Sequence, residues 1–462
     1  MKKIILLLLL PFSLAAQKNY PALLKQFMTG QHDYFRFNGN VLVAKGGNII
    51  YQQDLGFADF NSKRKLNDST AFELASVSKQ FTAMAIMILK ERRQLTYDDN
   101  VKRFFPDFPY ENITVRNLLT HTSGLPEYEE QFEKNWDHKK IAFNKDVLEM
   151  LKQRKDTLLF MPGSKWQYSN TGYAVLASII EKTWGTDYEK FLTRFIFQPL
   201  GMTHTFIYNS RRTTGKIPAN YALGFVYSDS LKRYILPDSL PKFDYVYYLD
   251  GIVGDGCVNS TTGDLLKWDR ALYTNKLVSK ATLDEMLSPL VQMSPRDSAN
   301  FYGFGVMVQP KSPRGKVISH TGGWPGYSTL VVRRTDIDET IIALSNNETL
   351  SGQIRAGIES ILADEDILMP YEHKEIKIDP ALLDRYVGKY VAFLTLEFIK
   401  KDNKLWRRRN GTDIELKPES ETKFFYGDGT DRQIEFEVDN SGKVTRAWFI
   451  NTGQKGEMKI LN

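Results

Sequence analysis

Ser76-Val77-Ser78-Lys79-Gln80-Phe81-Thr82-Ala83-Met84-Ala85-Ile86-Met87-Ile88-Leu89-Lys90 is the stretch on which the rest of the reading turns. From Phe81 to Leu89 almost every position is apolar and none alternates with a charge, so the segment reads as a helix buried on all sides. Its opening, Ser76-Val77-Ser78-Lys79, sets a hydroxyl and an amine three positions apart, on one helical face where they can meet. Free N–H groups at a helix start favour negative charge developing on whatever bonds to Ser76. A lysine held against apolar surface loses solvation, which favours the neutral form that can accept a proton from serine. Alone, S-x-x-K is short and common, and a serine cap beside a lysine reaching water accounts for it more simply.

Two further segments carry polar chemistry. Tyr168-Ser169-Asn170 precedes a helix beginning near Thr171. In extended backbone Tyr168 and Asn170 project to one side, so both could face one cleft. A phenol beside a lysine ammonium is a workable general base, and the Asn170 amide can hold both Lys79 and a substrate carbonyl. His320-Thr321-Gly322-Gly323 ends a strand, where glycines admit a close substrate and a strand edge offers an N–H to an oxyanion. The plain alternatives are a capped helix with a packed tyrosine, and a glycine-rich turn.

Outward from these, Asn40–Lys45 and Asn48–Leu55 read as a hairpin about Gly46-Gly47. Helices are expected near Tyr20–Thr29, Tyr173–Lys182 (ended by Gly185), Thr262–Tyr273 and Gly352–Ala363. Strands are expected at Lys316–His320, Ser328–Arg334 and Glu339–Ser345, with turns at Gly322–Gly326 and Asp336–Asp338. Strands at both ends with helices between imply an α+β unit over residues 17–368: one antiparallel sheet, flanking helices and a helical insert. After Pro370 short β segments take over, from Tyr386–Phe393 to Glu457–Leu461. They form an all-β, barrel-like or sandwich unit over residues 375–462.

The chain has 462 residues, 61 Lys+Arg and 55 Asp+Glu, 42% hydrophobic and 25% charged, which excludes general disorder. Mean hydropathy of −0.36 excludes a polytopic membrane protein. Residues 1–16 read as a secretory signal: Lys2-Lys3, apolar Ile4–Leu10, then Ser13, Ala15 and Ala16, with cleavage after Ala15 or Ala16. That predicts a periplasmic or secreted protein with no stable membrane span after cleavage. Discounting Lys2 and Lys3 lowers the net charge from +6 to +4, too weak to argue for a nucleic-acid partner. Cys257 is the single cysteine and is expected in a core. The six histidines show no i,i+4 pair and no H-E-x-x-H, so no metal or other cofactor is expected. His121 is assigned to the cleft wall, and Arg407-Arg408-Arg409 to a solvated face.

Singly weak, these signals are specific in their order and spacing. S-x-x-K on a helix, Y-x-N about ninety residues on and H-T-G on a late strand resemble the serine β-lactamase and penicillin-binding-protein superfamily. The class C β-lactamase and D,D-carboxypeptidase branch, with its esterases, is the most similar. Phe72-Glu73-Leu74-Ala75, Leu118–Leu125, Met161-Pro162-Gly163, Pro199–Met202 and Gly322–Tyr327 are similar to the same family. The resemblance spans about Gly39 to Ala363. It implies a serine hydrolase working through an acyl-enzyme on Ser76, with Lys79 and Tyr168 sharing proton transfer. It further implies an oxyanion hole from the Ser76 and Gly323 N–H groups, and substrate binding by Asn170, His320, Thr321 and Gly322. The expected partner is a small-molecule or peptide substrate: a D-amino-acid peptide, a small ester or a β-lactam. His320 stands where the family often has lysine, which favours peptidase or esterase work over strong β-lactamase action. The competing expectation is a non-catalytic receptor that keeps the fold and binds β-lactams or peptidoglycan fragments.

Overall fold

The computed structural model describes residues 19–154, 158–209, 217–349, 351–392, 394–409 and 412–461. The expected signal, residues 1–16, lies outside them. Among the described residues no helix is long and apolar enough to cross a membrane.

The centre is an eight-stranded antiparallel sheet. Its order is Val291–Ser294, Asp297–Tyr302, Met307–Gln309, Val317–Trp324, Tyr327–Arg334, Glu339–Ser345, Gly39–Lys45 and Asn48–Leu55. The early hairpin joins the late meander directly, Gly39 opposite Ser345 and Lys45 opposite Glu339. Period-two projection sends Val41, Val43, Val332 and Ile341 to one face, against helices Tyr20–Phe35 and Ser351–Leu362. Leu42, Ala44, Ile318 and Ile342 go to the other face, where Phe81, Met84 and Ile88 of helix Lys79–Glu91 pack. Burial on both faces explains why the central strands read as unbroken apolar runs.

The largely helical insert enters after Phe72–Glu73 and returns through helix Lys280–Met286. Its helix Asn170–Trp184 ends on Gly185 at φ 77, as expected of a glycine C-cap. One expectation is corrected. Gly322 to Trp324 are not turn residues: the strand runs from Val317 to Trp324 and only Pro325-Gly326 turn. Ladder pairing with Tyr327–Arg334 overrides the local turn signal. Residues 291–309, unassigned from the sequence, supply three strands at one end of the sheet, whose polar residues show little alternation.

The C-terminal strands close into an eight-stranded barrel, with Gly388–Val391 pairing Gln454–Leu461. Seven were legible. The eighth, Thr412–Pro418, hides its two inward positions, Ile414 and Leu416, among charged neighbours. Arg407 corrects another expectation. Strand alternation turns it into the barrel, 3% exposed, while Arg408 and Arg409 stay outside.

Candidate active site

Helix Lys79–Glu91 is preceded by one 3-10 turn, Ala75–Ser78. Ala75 has φ 47, a left-handed backbone that residues with side chains seldom adopt. This bend carries the chain from strand into helix and leaves Ser76 half-buried between buried neighbours. Lys79, one turn on, is wholly buried. Its Nζ donates to Ser76 Oγ at 3.0 Å, to Asn170 Oδ1 at 2.7 Å and to the Asp255 carbonyl at 2.8 Å. Three acceptors match the three N–H bonds of an ammonium. The Tyr168 ring centre lies 4.9 Å from Nζ and the Tyr173 ring 5.5 Å, so π-faces cushion the cation.

Tyr168 and Asn170 are held by the start of their helix. Ser169 is its N-cap, and its Oγ accepts the Gly172 N–H at 3.1 Å. Glu127 Oε2 accepts the Asn170 and Thr171 N–H groups at 2.9 and 3.2 Å, placing a carboxylate at the positive end of the helix. His121 Nδ1 accepts the Ser169 N–H at 3.0 Å, which leaves the ring proton on Nε2. That ring packs 4.3 Å from Tyr168 and 4.4 Å from Tyr302, centre to centre. Burial, then the Lys79 charge, hold His121 well below the usual histidine range, so it is neutral and anchors the Tyr168 segment.

The strand Val317–Trp324 forms the opposite wall. Pairing with Met307–Gln309 ends at Ser319, so the edge beyond is unpaired on that side. A two-residue loop closes the hairpin at Trp324 and Tyr327, and antiparallel alternation therefore turns the Gly323 N–H outward, away from its partner strand. A Cβ on Gly322 would lie 2.1 Å from the Leu74 carbonyl oxygen, whereas one on Gly323 meets nothing within 4 Å. Gly322 thus lets the strand touch the serine turn, and Gly323 faces open cleft. Thr321 is exposed beside it.

His320 faces the other way. Nδ1 donates to the Thr321 carbonyl at 2.7 Å and Nε2 accepts from Tyr302 Oη at 3.0 Å, the one tautomer both partners allow. Burial, then Lys79, push its pKa down to about 3. Both ring nitrogens are committed inside the wall, and neither is offered to a substrate carboxylate.

A carboxylate group behind Lys79 had no place in the sequence reading. Asn170 Nδ2 donates to Glu129 Oε1 at 2.8 Å, so the amide bridges lysine and carboxylate. Asp255 Oδ2 accepts from Tyr128 Oη at 2.7 Å. The signal available was Pro126-Glu127-Tyr128-Glu129-Glu130, three carboxylates directly after the apolar Leu125. Cys257 packs against the main core as expected, but only half-buried: with φ 72 and its thiol donating to the Ile252 carbonyl at 3.1 Å, it also stands on the wall of the serine recess. That recess, about 70 Å³, also holds Ser76, Asn170, Glu129 and Gly323. Beyond it lies an open cavity of about 830 Å³ that shares Glu129, Leu249, Gly323 and Trp324. Among the described residues no group of three or more His, Cys, Asp or Glu is arranged to hold a metal ion.

A sheet with a largely helical insert, and a serine hydroxyl bonded to a buried lysine beneath a tyrosine ring beside a free strand edge, describe a serine hydrolase of the β-lactamase and penicillin-binding-protein type. The chain matches the Beta-lactamase family model over residues 22–362 and belongs to that family. It is 43% identical over 402 residues to penicillin-binding protein 4* of Bacillus subtilis strain 168, covering 84% of this chain and 88% of that relative. A solved penicillin-binding protein from Bacillus halodurans is 26% identical with a TM-score of 0.64, covering 72% of this chain and 98% of its own. The octameric penicillin-binding protein homologue from Pyrococcus abyssi shares the fold at a TM-score of 0.67 and 23% identity, over 94% of this chain and 99% of its own.

Proposed function

We propose that this chain is an exported serine hydrolase that cleaves an amide or ester through an acyl-enzyme on Ser76. The observation that carries the reading is the 3.0 Å contact between Ser76 Oγ and Lys79 Nζ, a buried ammonium already shared with Asn170 and Asp255. Committed to three acceptors, Lys79 acts as a fixed positive charge. Tyr168 beside it, acting as the phenolate, takes the proton from Ser76 as Oγ attacks the carbonyl carbon. Charge on the carbonyl oxygen is met by the N–H groups of Ser76 and Gly323, each donor worth a few kcal/mol. The adduct then collapses: the C–N or C–O bond breaks, and the proton held by Tyr168 passes to the leaving amine or alkoxide. Water activated by Tyr168 then attacks the acyl-serine, and its proton passes through Tyr168 to Ser76 Oγ, releasing acid and restoring the hydroxyl. Thr321, exposed beside Gly323, binds a polar substrate group.

Export to the periplasm or medium rests on the residue order of positions 1–16. The substrate classes are D-amino-acid peptides, small esters and β-lactams. A neutral, fully bonded His320 favours the first two.

Labelling with a fluorescent penicillin or a fluorophosphonate, beside a Ser76→Ala control, tests the nucleophile. Turnover follows from nitrocefin, p-nitrophenyl esters and D-alanyl peptides. The expected result is label that depends on Ser76 together with turnover of at least one class. A stable adduct with no turnover of any substrate overturns catalysis in favour of a receptor. Lys79→Ala and Tyr168→Phe should each cost about as much rate as losing Ser76, because groups acting as one unit are not additive. Folded variants with nearly full rate would overturn these roles.

A further inference from the structure

We infer that the cleft selects substrates carrying an ammonium group near the scissile bond, and that Glu129 is the residue that reads it. The inference rests on Ser76 marking the substrate cleft. Glu129 lines both the serine recess and the outer cavity, and one of its oxygens is bonded to the Asn170 amide that holds Lys79. A carboxylate has about four lone-pair sites, so capacity remains for a donor arriving in the cleft. Among the described residues positive charge is short there. Asp255, Glu127 and Lys79 are the charged groups acting on Glu129 within its own wall, and the Lys79 N–H bonds are taken. Tyr128, Tyr245 and Tyr248 are the titratable neighbours on which its charge acts.

The outer cavity continues the pattern. Glu130, Glu133 and Glu348 face it, while His138 is already bonded to Asp244 at 2.7 Å and Lys242 is the remaining cation among the described lining residues. Trp324, Tyr245 and Phe243 add aromatic surface, a second attraction for an ammonium. Burial, then Asp255 and Glu127, raise the Glu129 pKa to about 7 against the pull of Lys79, which leaves positive charge in deficit around it. A bound ammonium supplies that charge and releases the proton.

Calorimetry on the full-length Ser76→Ala protein tests this without turnover, using phenylalanine amide against N-acetylphenylalanine amide. At pH 7 the free amine should bind about tenfold or more tightly, the scale of one well-placed charged contact. The preference should vanish in Glu129→Gln. In the protein with Glu129 intact it should fall as pH drops from about 7 to about 5.5, where Glu129 is protonated and the ligand amine stays charged. Equal binding of both ligands, binding of neither, or a preference that survives both Glu129→Gln and low pH overturns it. The pH arm stands if the variant fails to fold. Failure to label Ser76 with the ammonium preference intact would sink only the catalytic reading.

Discussion

At the scale of residues, His320 separates what a motif implies from what a side chain does. The family motif implies that it touches the substrate, at a position where lysine is common. In the structure a lysine there would bury a second ammonium near Lys79, among Tyr302, Tyr168 and His121. The ring has a consequence for stability. Its folded pKa, about 3, lies below its ordinary 6.5, so between those values the unfolded chain holds more protons. Stability from His320 is therefore full above about pH 6.5 and is lost as pH falls towards 3, by at most about 1.4 kcal/mol per unit. His121 is shifted in the same direction. Urea unfolding at pH 7 and pH 5 should show this loss, and His320→Asn should reduce the difference between the two. An unchanged difference would mean the ring titrates normally.

Among elements, the strand Val317–Trp324 does most to shape the cleft, and its two glycines have opposite jobs. An added Cβ at Gly322 would meet Leu74 O at 2.1 Å and Thr329 Oγ1 at 2.3 Å, so Gly322→Ala must push the strand off the serine turn. We expect a loss of about 1–3 kcal/mol and a fall in kcat. Gly323→Ala has open space, and its melting temperature should stay within the shift expected of about 0.5 kcal/mol. Equal thermal melts for the two variants would contradict the close approach. The sequence shows glycines here and suggests a turn. That one glycine admits a neighbouring backbone while the next faces open cleft depends on Leu74, nearly 250 residues away, and on no local signal.

Across the whole molecule, the sheet separates two layers. Ser76 and its helix pack on one face, while helices Tyr20–Phe35 and Ser351–Leu362 cover the other and receive the barrel. Among the described residues, three hydrogen bonds help to tie the barrel down. Gln31 Nε2 donates to Asp431 Oδ2 at 2.7 Å, the Leu368 N–H to the Gly453 carbonyl at 2.9 Å, and Gln454 Nε2 to Ser360 Oγ at 2.6 Å. Asp431 is buried, and burial raises its pKa against the pull of Gln31. Asp431→Ala leaves the buried Gln31 amide without this acceptor, at a cost of about 1–3 kcal/mol. Calorimetry should show a lower melting temperature or a separate barrel transition, with kcat unchanged because the sheet lies between. A loss of kcat without loss of stability would show that the barrel takes part in turnover.

What the sequence determined by itself is local or periodic. The buried helix after Ser76, the hairpin at Gly46-Gly47, the Gly185 cap and most barrel strands follow from short-range propensity and spacing. Ser76, Lys79, Tyr168 and Asn170 could be singled out because polar groups at fixed helical and extended spacings stand out against apolar surroundings. The tertiary structure alone decided which way His320 and Arg407 point, which glycine is indispensable, and that Glu127, Glu129 and Asp255 gather behind one lysine. Each is set by packing between segments far apart in the chain, where the face a residue presents depends on neighbours its own stretch of sequence does not contain.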